Sequence, residues 1–123
     1  MLVADDHTPL RVGLAATLAA QKGIKLVGQA ADGQEAVDQA RTLRPDVVVM
    51  DITMPKLSGI EATRQISAEL PGVKVIGFSV QQQECWARAL LDAGAVACLS
   101  KFDPIETLIK TIRACRAHAR AKS

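Results

Sequence analysis

The stretch VVVMDITMP, residues 47–55, decides the fold because a charged residue directly follows a run of strand-forming residues. Three valines and a methionine predict a short strand that is buried on both faces. The run ends at Asp51, and Thr53 and Pro55 come just after it. Placing a carboxylate at the tip of a core strand costs free energy, so folding alone gives no reason for it. The first hypothesis is therefore that Asp51 has a functional role.

Length and composition indicate one globular domain. The chain has 123 residues, of which 49% are apolar and 23% charged, enough for a core without metal or disulfide support. A net charge of +2 and only three aromatic residues argue against a nucleic-acid-binding surface. The three cysteines include no CxxC pair, which is typical of reduced thiols in the cytoplasm. No apolar run reaches the roughly 20 residues of a membrane span, and we expect no signal peptide before the first strand.

Short apolar runs alternate with segments whose apolar residues recur at helical spacing. The five predicted strands are residues 1–4, 26–30, 47–50, 74–79 and 95–99. This alternation predicts a parallel sheet with helices on both faces. With right-handed crossovers, the expected architecture is the flavodoxin-like α/β fold, a (βα)5 three-layer sandwich with strand order 2-1-3-4-5.

In such a sheet, binding sites form at the carboxyl ends of the strands, where the strand order reverses. Strand 1 ends in Asp5 and Asp6, and strand 3 ends in Asp51. Neighbouring strand tips lie about 5 Å apart, so the three carboxylates should share one crevice. Their mutual repulsion must be relieved by protonation or by a cation. Oxygen ligands of this kind suit Mg²⁺ or Mn²⁺ rather than zinc.

The last two strands add a hydroxyl and an ammonium group at the same edge. Ser79 ends strand 4, and strand 5 runs into Lys101. Together with the carboxylates, these groups predict a phosphoryl-transfer site with Asp51 as nucleophile. A metal and Lys101 would neutralise the equatorial phosphoryl oxygens, and Ser79 would donate a hydrogen bond to one of them.

Five segments carry a resemblance to a known family: ADDH, GQAADGQEAV, RPDVVVMDITMP, SGIEATRQI and LDAGAVACLSK. Over residues 1–123, the chain resembles the receiver domain of two-component response regulators, the CheY-like domain. It is most similar to the subfamily whose receivers are usually fused to a LuxR-type helix-turn-helix output domain. We expect that DNA-binding domain to be absent from this chain.

The resemblance implies that Asp51 accepts a phosphoryl group from a sensor histidine kinase, and that Ser79 and Lys101 contact its oxygens. The implied Mg²⁺ ligands are Asp5, Asp6, Asp51 and the backbone carbonyl of Thr53. The expected function is a phosphorylation-dependent switch that controls homodimerisation and transcription. Such a receiver phosphorylates and dephosphorylates itself and is not a turnover enzyme. It would act on DNA only through the output domain.

Three other functions were weighed. A phosphatase with an aspartate nucleophile of the DxDx(T/V) type would carry a second aspartate where this chain has Thr53. A flavin-binding protein would need a Ser/Thr/Gly-rich loop after strand 1, and ADDHTPLR is not one. The third is a pseudo-receiver, which keeps the fold but acts by protein contact without phosphorylation. Its support is Cys98, three positions before Lys101, where receivers of this kind usually carry an aromatic residue.

The helical segments give further predictions. Leu10, Leu14 and Leu18 recur at helical spacing and predict one buried face of the first helix. Trp86 fits the buried stripe of the fourth helix, whereas Leu91 falls off it and is predicted to contribute to a partner or dimer surface. Gly59 is expected to permit either close packing or an unusual backbone dihedral angle at the start of the third helix.

Overall fold

The computed structural model describes residues 1–52, 54, 56–80 and 84–122. The strands of these residues are β1 (Leu2–Ala4), β2 (Gly28–Ala30), β3 (Val47–Met50), β4 (Lys74–Ser79) and β5 (Ala97–Ser100). The helices are α1 (Thr8–Ala19), α2 (Gly33–Leu43), α3 (Gly59–Glu69), α4 (Glu84–Asp92) and α5 (Ile105–Lys122). All strand pairs are parallel, and the order is β2-β1-β3-β4-β5, which confirms the predicted topology.

The two edge strands begin later than predicted. β2 begins at Gly28 rather than at residue 26, and Gly28 lies opposite Leu2 of β1. β5 begins at Ala97 rather than at residue 95. The N–H of Ala95 donates to the carbonyl of Leu90, so this residue belongs to the turn after α4.

Asp32 and Ser58 are the side-chain caps at which α2 and α3 begin. The Asp32 carboxylate accepts a hydrogen bond from the N–H of Glu35 at 2.8 Å. The Ser58 hydroxyl accepts one from the N–H of Glu61 at 3.2 Å. Each bond satisfies a backbone donor that the helix itself leaves without a partner. These caps fix where the two helices begin beside the carboxyl ends of the strands.

Each face of the sheet carries its own buried core, as a three-layer sandwich requires. One core packs α2, α3 and α4 on the sheet through residues such as Val37, Ile66 and Leu90. The other packs α1 and α5 through residues such as Leu18 and Ile112. No helix within the described residues is both long and apolar enough to cross a membrane.

The predicted apolar face of α1 is only partly buried. Leu18 is fully buried and Leu14 partly buried, but Leu10 is 52% exposed, so its predicted burial is wrong. Leu10 lies in the first turn of the helix, beside a groove that Asp5 and Lys101 also line. This is the carboxyl edge of the sheet, where β1 has already ended and offers no surface to cover the side chain.

Candidate functional site

Asp5 and Asp51 lie side by side because backbone bonds extend the sheet by one residue beyond the strands. The N–H of Asp51 donates to the carbonyl of Ala4 at 2.9 Å, and that of Asp5 donates to Ala30 at 3.0 Å. Both aspartates are buried, whereas Asp6 is exposed. One carboxylate oxygen from each of the three lies within 4.8 Å of the others. The structure therefore brings together the predicted acidic cluster, and its oxygen donors fit a hard divalent cation such as Mg²⁺.

Two further residues complete the site: Ser79 ends β4, and Lys101 directly follows β5. The Lys101 ammonium Nζ lies 2.5 Å from Asp5 Oδ2 and 3.7 Å from Asp51 Oδ2. The Ser79 hydroxyl donates a hydrogen bond to the Asp51 carboxylate and is buried. The two residues are tied together, because the Lys101 N–H donates to the Ser79 carbonyl at 2.9 Å. All of the predicted side-chain groups thus meet at one edge of the sheet.

The electrostatic environment of Asp51 is unusual for a carboxylate. Burial raises its pKa, and the nearby Asp5 carboxylate raises it further. The Lys101 charge opposes this rise, as do hydrogen bonds from the Ile52 N–H, at 2.9 Å, and from Ser79. The net result is a pKa above the ordinary value of an aspartate. A buried carboxylate with a specific charged partner is typical of a functional group.

Two glycines hold the segment that follows Asp51 against the helices. A Cβ on Gly59 would lie 1.8 Å from the backbone oxygen of Asp51, so only glycine allows α3 to begin this close to β3. This confirms the expected role of Gly59. A Cβ on Gly33 would lie 1.8 Å from the backbone oxygen of Leu57. Sequence reasoning missed this contact.

Arg11 is a second residue that the sequence analysis missed. Its guanidinium donates through Nη1 to the backbone carbonyl of Asp5 at 3.0 Å and through Nε to Gln29 Oε1 at 3.2 Å. The sequence carries no local signal for these two contacts, because an arginine in a first helix is ordinary in isolation. Thr53, whose carbonyl the resemblance assigns to the metal, lies outside the described residues, so that assignment stays a prediction.

Comparisons with known proteins agree with this geometry. Residues 1–113 match the model of the response regulator receiver domain. Response regulator GacA of Pseudomonas viridiflava is 39% identical over 113 residues, which cover 92% of this chain and 53% of GacA. Transcriptional regulatory protein LiaR of Bacillus subtilis (strain 168) is 40% identical over 114 residues, covering 93% of this chain and 54% of LiaR. The chain therefore spans about half the length of these curated relatives.

A solved structure of a response regulator has the same fold as this chain. The two-component response regulator of the LuxR family from Aurantimonas sp. SI85-9A1 has a TM-score of 0.90 and 33% sequence identity. The similarity covers 95% of this chain and 84% of that chain. Agreement at this level extends to the whole sheet and the helices on both of its faces.

Proposed function

Because this chain belongs to the response regulator receiver family, we propose that it is a phosphorylation-controlled switch in which Asp51 accepts the phosphoryl group of a sensor histidine kinase. One observation carries the proposal. The buried Asp51 carboxylate accepts a hydrogen bond from the Ser79 hydroxyl, and its Oδ2 lies 3.7 Å from the Lys101 ammonium. A carboxylate that serves only to cap a strand has no need of a hydroxyl and an ammonium group converging on it from two further strands.

The proposed reaction follows from these contacts. A carboxylate oxygen of Asp51 attacks phosphorus, and a P–O bond forms as the bond from phosphorus to the kinase imidazole nitrogen breaks. The nitrogen keeps the electron pair. Lys101 neutralises charge on the phosphoryl oxygens, and the Ser79 hydroxyl donates a hydrogen bond to one of them.

A divalent metal completes the proposed site. The ligands would be Asp5, Asp6, Asp51 and the backbone carbonyl of Thr53. When bound, Mg²⁺ supplies positive charge that neutralises the transferring group. The 4.8 Å spacing of the acidic oxygens supports this assignment.

Downstream events are proposed from the relatives. The phosphoryl group shifts an equilibrium between two conformations of the domain, in proportion to its different interactions with each. The shift promotes homodimerisation, through α1 and α5 or through α4 and α5. It thereby controls transcription in the cytoplasm through a DNA-binding output domain outside this chain. The name of LiaR as a transcriptional regulatory protein and the LuxR-family structure support such an output.

Intact mass spectrometry tests the acceptor directly. The protein is incubated with Mg²⁺ and acetyl phosphate, which releases acetate when it donates its phosphoryl group. We expect one phosphoryl adduct on the wild type, none on Asp51→Asn and none in EDTA. An adduct of equal yield on Asp51→Asn would refute the acceptor assignment. A folded wild type that stays unlabelled while a known receiver labels in parallel would instead support the pseudo-receiver.

A further inference from the structure

We propose that Arg11 is a positioning residue for the metal end of the site, because it fixes the turn that presents the Asp6 carboxylate to Mg²⁺. The inference rests on the proposed function, since it concerns the same site. The two side-chain hydrogen bonds of Arg11 reach the backbone carbonyl of Asp5 and the side chain of Gln29. Arg11 acts through the backbone of Asp5.

The guanidinium joins α1 to two strands at once. Nη1 donates to the backbone carbonyl of Asp5 at the tip of β1, at 3.0 Å. Nε donates to the side-chain oxygen of Gln29 in β2, at 3.2 Å. Arginine suits this position because its planar fork places two donors in a fixed relation, which the single ammonium of lysine cannot do.

The same turn is closed on its other side. Asp5 Oδ1 accepts a hydrogen bond from the N–H of His7 at 2.9 Å. The N–H of Arg11 donates to the carbonyl of His7, also at 2.9 Å. Both neighbours of Asp6 are therefore held: the Arg11 side chain holds the carbonyl of Asp5, and the backbone N–H of residue 11, which Arg11→Gln retains, holds the carbonyl of His7. Asp6 is the exposed member of the acidic cluster, so the position of its carboxylate depends on the turn rather than on surrounding side chains.

The acceptor on β2 is itself fixed. Gln39 of α2 donates through Nε2 to the backbone carbonyl of Gln29 at 2.7 Å. The same amide donates to Glu35 at 3.1 Å. Arg11 is thus anchored on an edge strand that α2 holds in place. The chain of contacts runs from α2 through Gln29 and Arg11 to the Asp5–Asp6 turn.

A purely electrostatic role for Arg11 makes the opposite prediction. A positive charge close to the acidic cluster repels a divalent cation, so its removal would tighten Mg²⁺ binding. A positioning role predicts that its removal weakens Mg²⁺ binding, because the ligands are no longer held in place. Residues that orient metal ligands from behind commonly change metal affinity by about 10- to 100-fold.

Titration with Mg²⁺, followed by two-dimensional ¹H–¹⁵N NMR, decides between the two roles. We expect Arg11→Gln to weaken the Kd for Mg²⁺ by about tenfold or more. Arg11→Lys keeps the charge but cannot serve both acceptors, and it should also bind more weakly than the wild type. Gln29→Leu should weaken binding in the same direction. The double variant should bind no more weakly than Arg11→Gln, because the two residues act as one unit.

Two controls separate positioning from general destabilisation. Arg64→Gln makes the same chemical change on α3, where the arginine pairs with Glu61, and it should leave the Kd for Mg²⁺ unchanged. All titrations are run below the unfolding transition of each variant, measured in EDTA. Unchanged or tighter Mg²⁺ binding by Arg11→Gln would overturn the inference, as would an equal loss in Arg64→Gln. A wild type that binds no Mg²⁺ would refute the proposed function itself.

Discussion

Replacing Gly59 with alanine should damage the proposed phosphoacceptor site through the backbone of Asp51. The new Cβ would lie 1.8 Å from the carbonyl oxygen of Asp51, where ordinary contact begins at 3.4 Å. The start of α3 and the end of β3 must therefore separate by about 1.6 Å, the difference between these two distances. The obstacle is backbone on both sides, so rotation of a flexible side chain cannot relieve it.

Two effects of the Gly59→Ala change lower the free energy of unfolding. Overpacking of this kind destabilises by about 1–3 kcal/mol. Separation also breaks the 2.7 Å hydrogen bond from the Gly59 N–H to the Ile52 carbonyl. Leaving such buried groups without partners costs about 1–3 kcal/mol more. We expect a loss of about 2–6 kcal/mol in the free energy of unfolding, or roughly 10–25 °C in Tm for a domain of this size.

Urea unfolding measures this loss, and Gly13→Ala is the matched control. A Cβ on Gly13 would meet nothing within 4 Å, and the residue lies inside α1. The same glycine-to-alanine change should therefore stabilise the protein there, by about 0.5–1 kcal/mol. The Asp51 adduct should also form more slowly in Gly59→Ala. Equal stability of Gly59→Ala and wild type would refute the reasoning.

Three further substitutions test other parts of the molecule. The hydrogen bond from Arg41 lowers the pKa of Glu69 in the folded protein below its ordinary value of 4.5. The wild type should therefore be more stable than Glu69→Gln above pH 4.5, and this advantage should vanish as the pH falls through the pKa of Glu69 in the folded state. Urea unfolding across this pH range checks the prediction, and an advantage that does not change with pH would contradict it. Leu90→Ala should cost about 2–5 kcal/mol in urea unfolding, since it leaves a cavity over β4, and a loss below 1 kcal/mol would argue against tight packing of α4. Lys101→Met removes the ammonium 2.5 Å from Asp5 Oδ2, so it should tighten Mg²⁺ binding in an NMR titration while slowing the acetyl phosphate reaction; faster labelling would contradict the proposed role.

The fold and the main site were predictable because both follow from the spacing of apolar residues along the chain and from the topology of a parallel sheet. Alternating strands and helices leave few arrangements, and a parallel sheet necessarily gathers the residues that end its strands. Asp5, Asp51, Ser79 and Lys101 each directly follow or end a strand, so strand order alone placed them together. The preference of Lys101 for Asp5 over Asp51 was not predictable, because it depends on side-chain packing at the level of single ångströms.

The residues that sequence reasoning missed act across long separations in the chain. Arg11 reaches Gln29, and Gly33 approaches Leu57. Neither contact leaves a local pattern, since an arginine in a first helix and a glycine after a cap are ordinary in isolation. Such roles emerge only when tertiary structure brings the two segments together.

In the proposed reaction, the change in charge at the site is smaller than the phosphoryl group suggests. The group carries about −1.5 to −2 charge, but formation of the acyl phosphate removes the negative charge of the Asp51 carboxylate, so the site gains at most about one unit of negative charge. Charge alone therefore gives a limited difference between two conformations. The remainder would come from groups whose contacts with Asp51 change, and Ser79 and Lys101 are two groups that lie against its carboxylate.

A contact between Gly77 and Leu90 joins the end of β4, where Ser79 lies, to helix α4. Two residues before Ser79, Gly77 pairs with Cys98 on β5, and a Cβ on Gly77 would lie 2.5 Å from Leu90 Cδ1 of α4. The Leu90 side chain therefore packs directly against the backbone of β4 at Gly77. The Cys98 sulfur lies beside the same glycine, 3.4 Å from the position that its Cβ would occupy. Displacement of the end of β4 moves the surface on which Leu90 rests. In the proposed function, this contact would couple α4 to the edge of the sheet that carries Asp51, with Cys98 in place of the aromatic residue that the family resemblance leads us to expect.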